Sequence, residues 1–136
     1  MENSFNLEII SPVVTVFSGE VNSVTIPGTS GSFQVLRNHA ALVSSVDIGM
    51  VKINNGSEII EYSTSGGLFE VNNNKAILLA ESIESKEEID LERARKSKAR
   101  AEQILKIAES RDDEKLEAKE AIQRAINRIK LAESKK

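Results

Sequence analysis

At 136 residues, 40% hydrophobic and 29% charged, the chain has the composition of a globular, water-facing protein with room for one domain or a small domain plus an appendage. It has no cysteine and one histidine, which excludes disulfides, cysteine-ligated metals, thiol nucleophiles and any site built from several imidazoles. A net charge of −3 argues against a general nucleic-acid binder. No apolar run is long enough for a bilayer, and the acidic N-terminus is unlike a secretion signal, so a reducing, cytosolic setting is expected.

The chain opens on a period-two pattern, Phe5, Leu7 and Ile9 alternating with Asn6 and Glu8, which predicts a strand with one buried face. Val14/Val16, Val24/Ile26, Phe33/Val35, Val51/Ile53 and Ile60/Tyr62 repeat it in short bursts. Turn signals separate them at Ser11-Pro12, Ser18-Gly19, Pro27-Gly28, Asn54-Asn55-Gly56, Ser65-Gly66-Gly67 and Asn72-Asn73-Asn74. Asn55-Gly56 predicts a hairpin, since both residues tolerate positive φ. Many short strands without a helical block between them imply a sandwich or flattened barrel ending near Ala80–Ile83.

Composition then changes. All 7 glycines and both prolines lie at or before Gly67, and no Gly, Pro, Val or aromatic residue follows Val71. Residues 1–85 carry 3 basic against 9 acidic side chains; residues 86–136 carry 15 against 12, a local surplus of +3 that suits one acidic partner. Two domains are expected, a β domain over 1–84 and a helical hairpin over 85–136. The capping box Ser85-Lys86-Glu87-Glu88 predicts a helix start, running to about Glu109. Ser110-Arg111-Asp112-Asp113 predicts a break that caps a second helix ending near Glu133. So short a connection forces antiparallel neighbours. Ala94, Ala101 and Ala108 on one helix and Ala118, Ala125 and Ala132 on the other recur every seven residues, flanked by Leu91, Leu105, Ile122 and Ile129. An alanine seam brings helices close but buries little apolar area, so the hairpin is a candidate switch.

Catalytic signals are absent. His39, in Arg37-Asn38-His39-Ala40-Ala41-Leu42, has no acid or serine partner at a recognisable spacing. Gly28-Thr29-Ser30-Gly31 is not followed by Lys and a helix, and Gly66-Gly67 leads into a strand, so neither is a phosphate or dinucleotide loop. No metal site is expected. On the first helix Arg93, Arg95, Lys96, Lys98 and Arg100 crowd into eight residues. Ordinary helix pairing, such as Asp90–Arg93, covers part of this charge, Arg95 and Lys98 included. Arg93 and Arg100, seven apart, share a face, and an antiparallel partner places Arg124 and Arg128 along the same edge. Four guanidinium groups on one edge suit an oligophosphate ligand that would close the hairpin.

Three stretches together resemble the epsilon subunit of bacterial and chloroplast F-type ATP synthases. Pro27-Gly28-Thr29-Ser30-Gly31-Ser32-Phe33-Gln34-Val35-Leu36-Arg37-Asn38-His39-Ala40-Ala41-Leu42 is similar to that family's Gly-x-x-Gly segment with its following His-Ala-Pro-Leu. Ser65-Gly66-Gly67-Leu68-Phe69-Glu70-Val71 and Ile89-Asp90-Leu91-Glu92-Arg93-Ala94 are similar to two further family motifs, in order along the whole chain. The resemblance implies a ten-stranded β-sandwich followed by an antiparallel two-helix hairpin. It implies a non-catalytic central-stalk subunit of a proton- or sodium-translocating ATP synthase, peripheral to the cytoplasmic face of the cell membrane. The sandwich would join the gamma subunit to the c-ring, and the hairpin, extended, would reach the alpha/beta catalytic head and block ATP hydrolysis. Ser32, Arg37, Asn38 and His39 would face the c-ring. No cofactor is required, but regulatory ATP is implied, held by Glu84, Asp90, Arg93, Arg100, Arg124 and Arg128. The sequence departs from the family pattern at Arg37-Asn38, where Pro and Gly are frequent, at Ala41 in place of Pro, and at Ser32 in place of an acidic residue; the contacts of the loop facing the c-ring are what these changes touch. The competing reading is a free-standing chaperone or adaptor presenting a helical hairpin. It needs exposed apolar residues near the hairpin tip, where the sequence reads Glu109-Ser110-Arg111-Asp112-Asp113-Glu114. A small nucleotide-hydrolysing enzyme lacks a P-loop and a general base.

Overall fold

The opening alternation becomes β1 (Phe5–Ile10), with Phe5, Leu7 and Ile9 buried and their neighbours facing out. The computed structural model describes residues 3–107 and 112–134. These residues fall into two units, Met1–Glu84 and Ser85–Lys136.

In the first unit β1 is followed by β2 (Thr15–Val21), β3 (Ser23–Gly28), β4 (Gly31–Leu36), β5 (Leu42–Val46), β6 (Gly49–Asn54), β7 (Ile59–Thr64), β8 (Gly67–Asn72) and β9 (Lys75–Ala80); β10 (Ile83–Ser85) runs across the boundary. The hydrogen-bonded order is β10-β7-β6-β3-β5-β8-β9-β1-β2, with β4 on the side of β3. β1 and β9 pair in parallel, while β1–β2, β3–β4, β6–β7 and β8–β9 are antiparallel. β3 meets β5 at a single pair, Gly28 with Val46. There the ladder turns a corner, and its two halves close over one core that includes Val24, Ile26, Val51, Ile53, Phe69 and Leu78. Glycine is needed at that corner: a Cβ on Gly28 would lie 2.8 Å from both the Gly31 carbonyl oxygen and a Phe33 ring carbon. Phe33 in turn meets Phe69 edge to face, ring centroids 5.9 Å apart.

Two strand expectations need correction. Val14 lies before β2 and is 58% exposed; the buried residue of that strand is Val21, because β2 pairs with β1 through Phe5–Val21. Asn55-Gly56 does connect two strands, β6 and β7, but through four loop residues. Gly56 alone takes positive φ (97°), while the Asn55 side-chain oxygen accepts the Ser57 and Glu58 backbone N–H groups. A side-chain turn replaces the tight primed turn.

The second unit begins with a single 3-10 turn at Lys86–Glu88, followed by α1 (Leu91–Ile107) and α2 (Asp112–Glu133). The Ser85–Glu88 capping box exists, with the Ser85 N–H donating to Glu88 Oε1 at 2.9 Å, but it caps only that turn. The α-helix starts five residues later than the capping box implies, at a second cap: the Asp90 carboxylate accepts the Arg93 backbone N–H at 3.1 Å. Asp112 and Asp113 belong to the first turn of α2 rather than to a break, where their charge suits the positive helix end. Ser110 and Arg111 lie outside the described residues.

The helices bury Ala94 and Ala101 against Ala118 and Ala125, whereas Ala108 lies outside the described residues. Near the end of α2 the alanine register gives way: Leu131, 1% exposed, is the buried residue and Ala132 only half-buried. Around it the Lys86 ammonium donates to the Ser134 carbonyl, Arg95 pairs with Glu133, and the Ser134 hydroxyl donates to the Leu131 carbonyl.

Candidate functional site

α1 is a helix because Ala, Arg, Lys, Glu and Leu fill it without a breaker, and Asp90 satisfies its first free N–H. Residues three, four and seven apart share a face, so Arg93, Lys96, Ser97 and Arg100 line one side of the helix over about 10 Å. With Asp90 and Glu92 they border a concavity of about 580 Å³. Three cations against two carboxylates leave its lining net positive, and Arg93 and Arg100 are exposed. Two further cations of the helix are paired: Arg95 with Glu133, and Lys98 with Glu102 at 3.7 Å. The expected Asp90–Arg93 ion pair takes a different form, carboxylate to backbone N–H, so the Asp90 side chain braces the helix start.

Of the six residues implied for nucleotide binding, Asp90, Arg93 and Arg100 are gathered at this groove. Arg124 and Arg128 sit half-buried on α2 and do not line it. Glu84 is the last residue of the first unit. Lys96 and Ser97 line it too; the sequence placed Lys96 in the basic cluster but not in the binding set, and did not single out Ser97, although their i+3 and i+4 spacing from Arg93 puts both on its face.

The residues implied to face the c-ring are not gathered into one loop. Ser32 lies within β4, paired with Pro27, while Arg37, Asn38 and His39 follow that strand, about 16 Å further along it at strand rise. Asn38 adopts φ 66°, and the His39 ring nitrogen Nδ1 lies 2.6 Å from the Ala40 carbonyl oxygen. Beside them is the β8–β9 turn, in which Asn73 and Asn74 both have positive φ, and the two segments enclose a concavity of about 300 Å³. Among the described residues no group of three or more His, Asp or Glu side chains could hold a metal ion. No helix among them is long and apolar enough to cross a membrane.

Fold and site together define a β-sandwich followed by a two-helix arm with a net-positive groove on its first helix. The family model described as ATP synthase, Delta/Epsilon chain, beta-sandwich domain matches residues 4–86, and that of the same chain's long alpha-helix domain matches residues 87–133. The chain belongs to the ATP synthase delta/epsilon chain family. It is 38% identical over 133 residues to the ATP synthase epsilon chain of Desulforamulus reducens, covering 98% of this chain and 100% of that one. With the ATP synthase epsilon chain of Nitratidesulfovibrio vulgaris (strain DP4) it shares 42% over 132 residues, 96% of this chain and 97% of that one. Among solved structures, a chain of the Euglena gracilis mitochondrial ATP synthase (OSCP/F1/c-ring) has the same fold, with TM-score 0.77, 21% identity, and coverage of 88% of this chain and 76% of that one. A chain of the Tetrahymena thermophila mitochondrial ATP synthase central stalk and c-ring is similar at TM-score 0.58 and 14% identity, covering 93% and 92%.

Proposed function

We propose that this chain is a non-catalytic rotor subunit of an F-type ATP synthase, its sandwich coupling gamma to the c-ring and its hairpin acting as an extendable brake on ATP hydrolysis. The observation that carries the reading is the match of both domains, in order, to delta/epsilon family models, alongside full-length relatives that are epsilon chains. Coupling is assigned to the sandwich because its single continuous core makes it the rigid part. Regulation is assigned to the hairpin because its described contacts bury mainly alanine, which holds two helices with little apolar area. The α1 groove binds ATP as a regulatory ligand, with Arg93 and Arg100 on its phosphates, and favours the folded hairpin, whose second helix carries Arg124 and Arg128. The complex holds the chain at the cytoplasmic face of the membrane, coupled to protons or sodium.

The decisive experiment is truncation after Ser85 in a reconstituted complex. ATP hydrolysis is expected to rise while the complex stays assembled; unchanged hydrolysis would sink the braking role and leave coupling intact.

One observation favours the chaperone or adaptor reading. Ile107, Leu116 and Ile104, flanking the hairpin turn, are 79%, 60% and 46% exposed, so the apolar surface that reading needs is present. In the rotor reading these side chains are covered when the arm extends against the catalytic head. Affinity capture with the intact chain separates the two: ATP synthase subunits are expected, and many unrelated clients without them would favour the adaptor.

A further inference from the structure

The β8–β9 connection is a two-residue turn, Asn72 pairing with Lys75 and both Asn73 and Asn74 left-handed. That is the geometry a tight hairpin favours, and asparagine tolerates it without a glycine. The turn is anchored to β1 as well, since the Asn6 N–H donates to the Asn74 carbonyl at 3.0 Å. The segment after β4 has no such ladder. Its Asn38 is held by two parallel bonds to a single side chain: the Asn38 backbone N–H donates to Asn74 Oδ1 at 2.6 Å, and Asn74 Nδ2 donates to Asn38 Oδ1 at 3.1 Å. Asn38 and Asn74 are 36 residues apart in the chain, so this carboxamide pair joins two loops that sequence proximity does not.

We propose that Asn74 is a positioning residue for the segment Arg37–His39, and that the Asn38–Asn74 pair makes both loops one rigid docking surface at this end of the sandwich. Asn74 supplies an acceptor and a donor to a residue whose left-handed backbone sets the direction of Arg37 and His39. A partner therefore meets a loop ordered in advance, with no ordering cost at binding. The shallow concavity between the loops, lined by Asn38, His39, Ala41 and Asn73 among others, presents carboxamides and an imidazole. It fits a polar loop that can both donate and accept hydrogen bonds. The inference rests on the proposed coupling of the sandwich to the c-ring, with Arg37, Asn38 and His39, as the family resemblance implies, on the side that meets it.

The test uses the full chain with Asn74→Gly and Asn38→Gly, each of which keeps a left-handed backbone without strain, and Asn74→Asp, which keeps the acceptor for the Asn38 N–H. Hydrogen exchange at the Asn38 and His39 amides is expected to quicken about tenfold in Asn74→Gly and to be largely restored in Asn74→Asp. Rebinding to ATP synthase depleted of this chain is expected to weaken about fivefold in either glycine variant, and the double variant to be no worse than the single ones. Unchanged exchange in Asn74→Gly, or additive losses in the double variant, would overturn the positioning role. Faster exchange with unchanged rebinding would overturn the placement of this end against the ring while leaving the pair itself established.

Discussion

Asp90 accepts the Arg93 backbone N–H and also borders the groove, so two substitutions separate its structural from its electrostatic role. Asp90→Asn retains a capping oxygen and should leave hairpin stability nearly unchanged, whereas Asp90→Ala should cost about 1 kcal/mol, read by thermal melting of the helical signal. At Arg93 and Arg100 the consequence falls on binding. Each replacement by Ala should weaken ATP binding to the isolated chain about tenfold, from loss of charge-assisted contacts to phosphate, and added salt should weaken it further. Calorimetry with no heat at millimolar ATP would remove the ligand altogether.

At the scale of elements, the grip of the hairpin is unevenly distributed. Four buried alanines contribute little each, while Leu131 brings a full side chain to the end of α2, beside the Lys86–Ser134 and Arg95–Glu133 contacts. Leu131→Ala should destabilise the helix pair by about 2–4 kcal/mol. Probes on the two helices, reporting their separation, should show opening in that variant, and far less in Ala125→Ser, which keeps a small side chain. If both variants open equally, the anchoring role of Leu131 is wrong. The alanine repeat predicted the seam but not this anchor, because position 131 stands about 100° around the helix from position 132 and so lies off the seven-residue repeat. At the end of α2 it is Leu131 that is buried, while Ala132 is half-buried.

For the whole molecule, the apolar core is confined to the sandwich, and the helical unit has no comparable cluster among its described residues. The hairpin should therefore melt below the sandwich. Tyr62, buried at 8% exposure and the one tyrosine in a chain without tryptophan, reports the sandwich by fluorescence, while far-UV dichroism at helical wavelengths reports the hairpin. Two separated transitions are expected; coincident ones would mean that the units unfold together.

Local pattern alone determined much about this protein. Alternation placed the buried faces of β1, β3 and β6, and the loss of Gly, Pro and Val after Val71 marked the helical half, because period and propensity are properties of neighbouring residues. The basic face of α1 was legible for the same reason, since residues three, four and seven apart meet on any helix. Tertiary structure decided what depends on distant partners. Pairing with β1 placed Val21 rather than Val14 inside, and only the fold could bring Asn74 to Asn38. It also decided between two adequate N-caps, giving Ser85 a single turn and Asp90 the helix. A cap is worth about 1 kcal/mol wherever it stands, so the packing of the helix that follows settles which one is used.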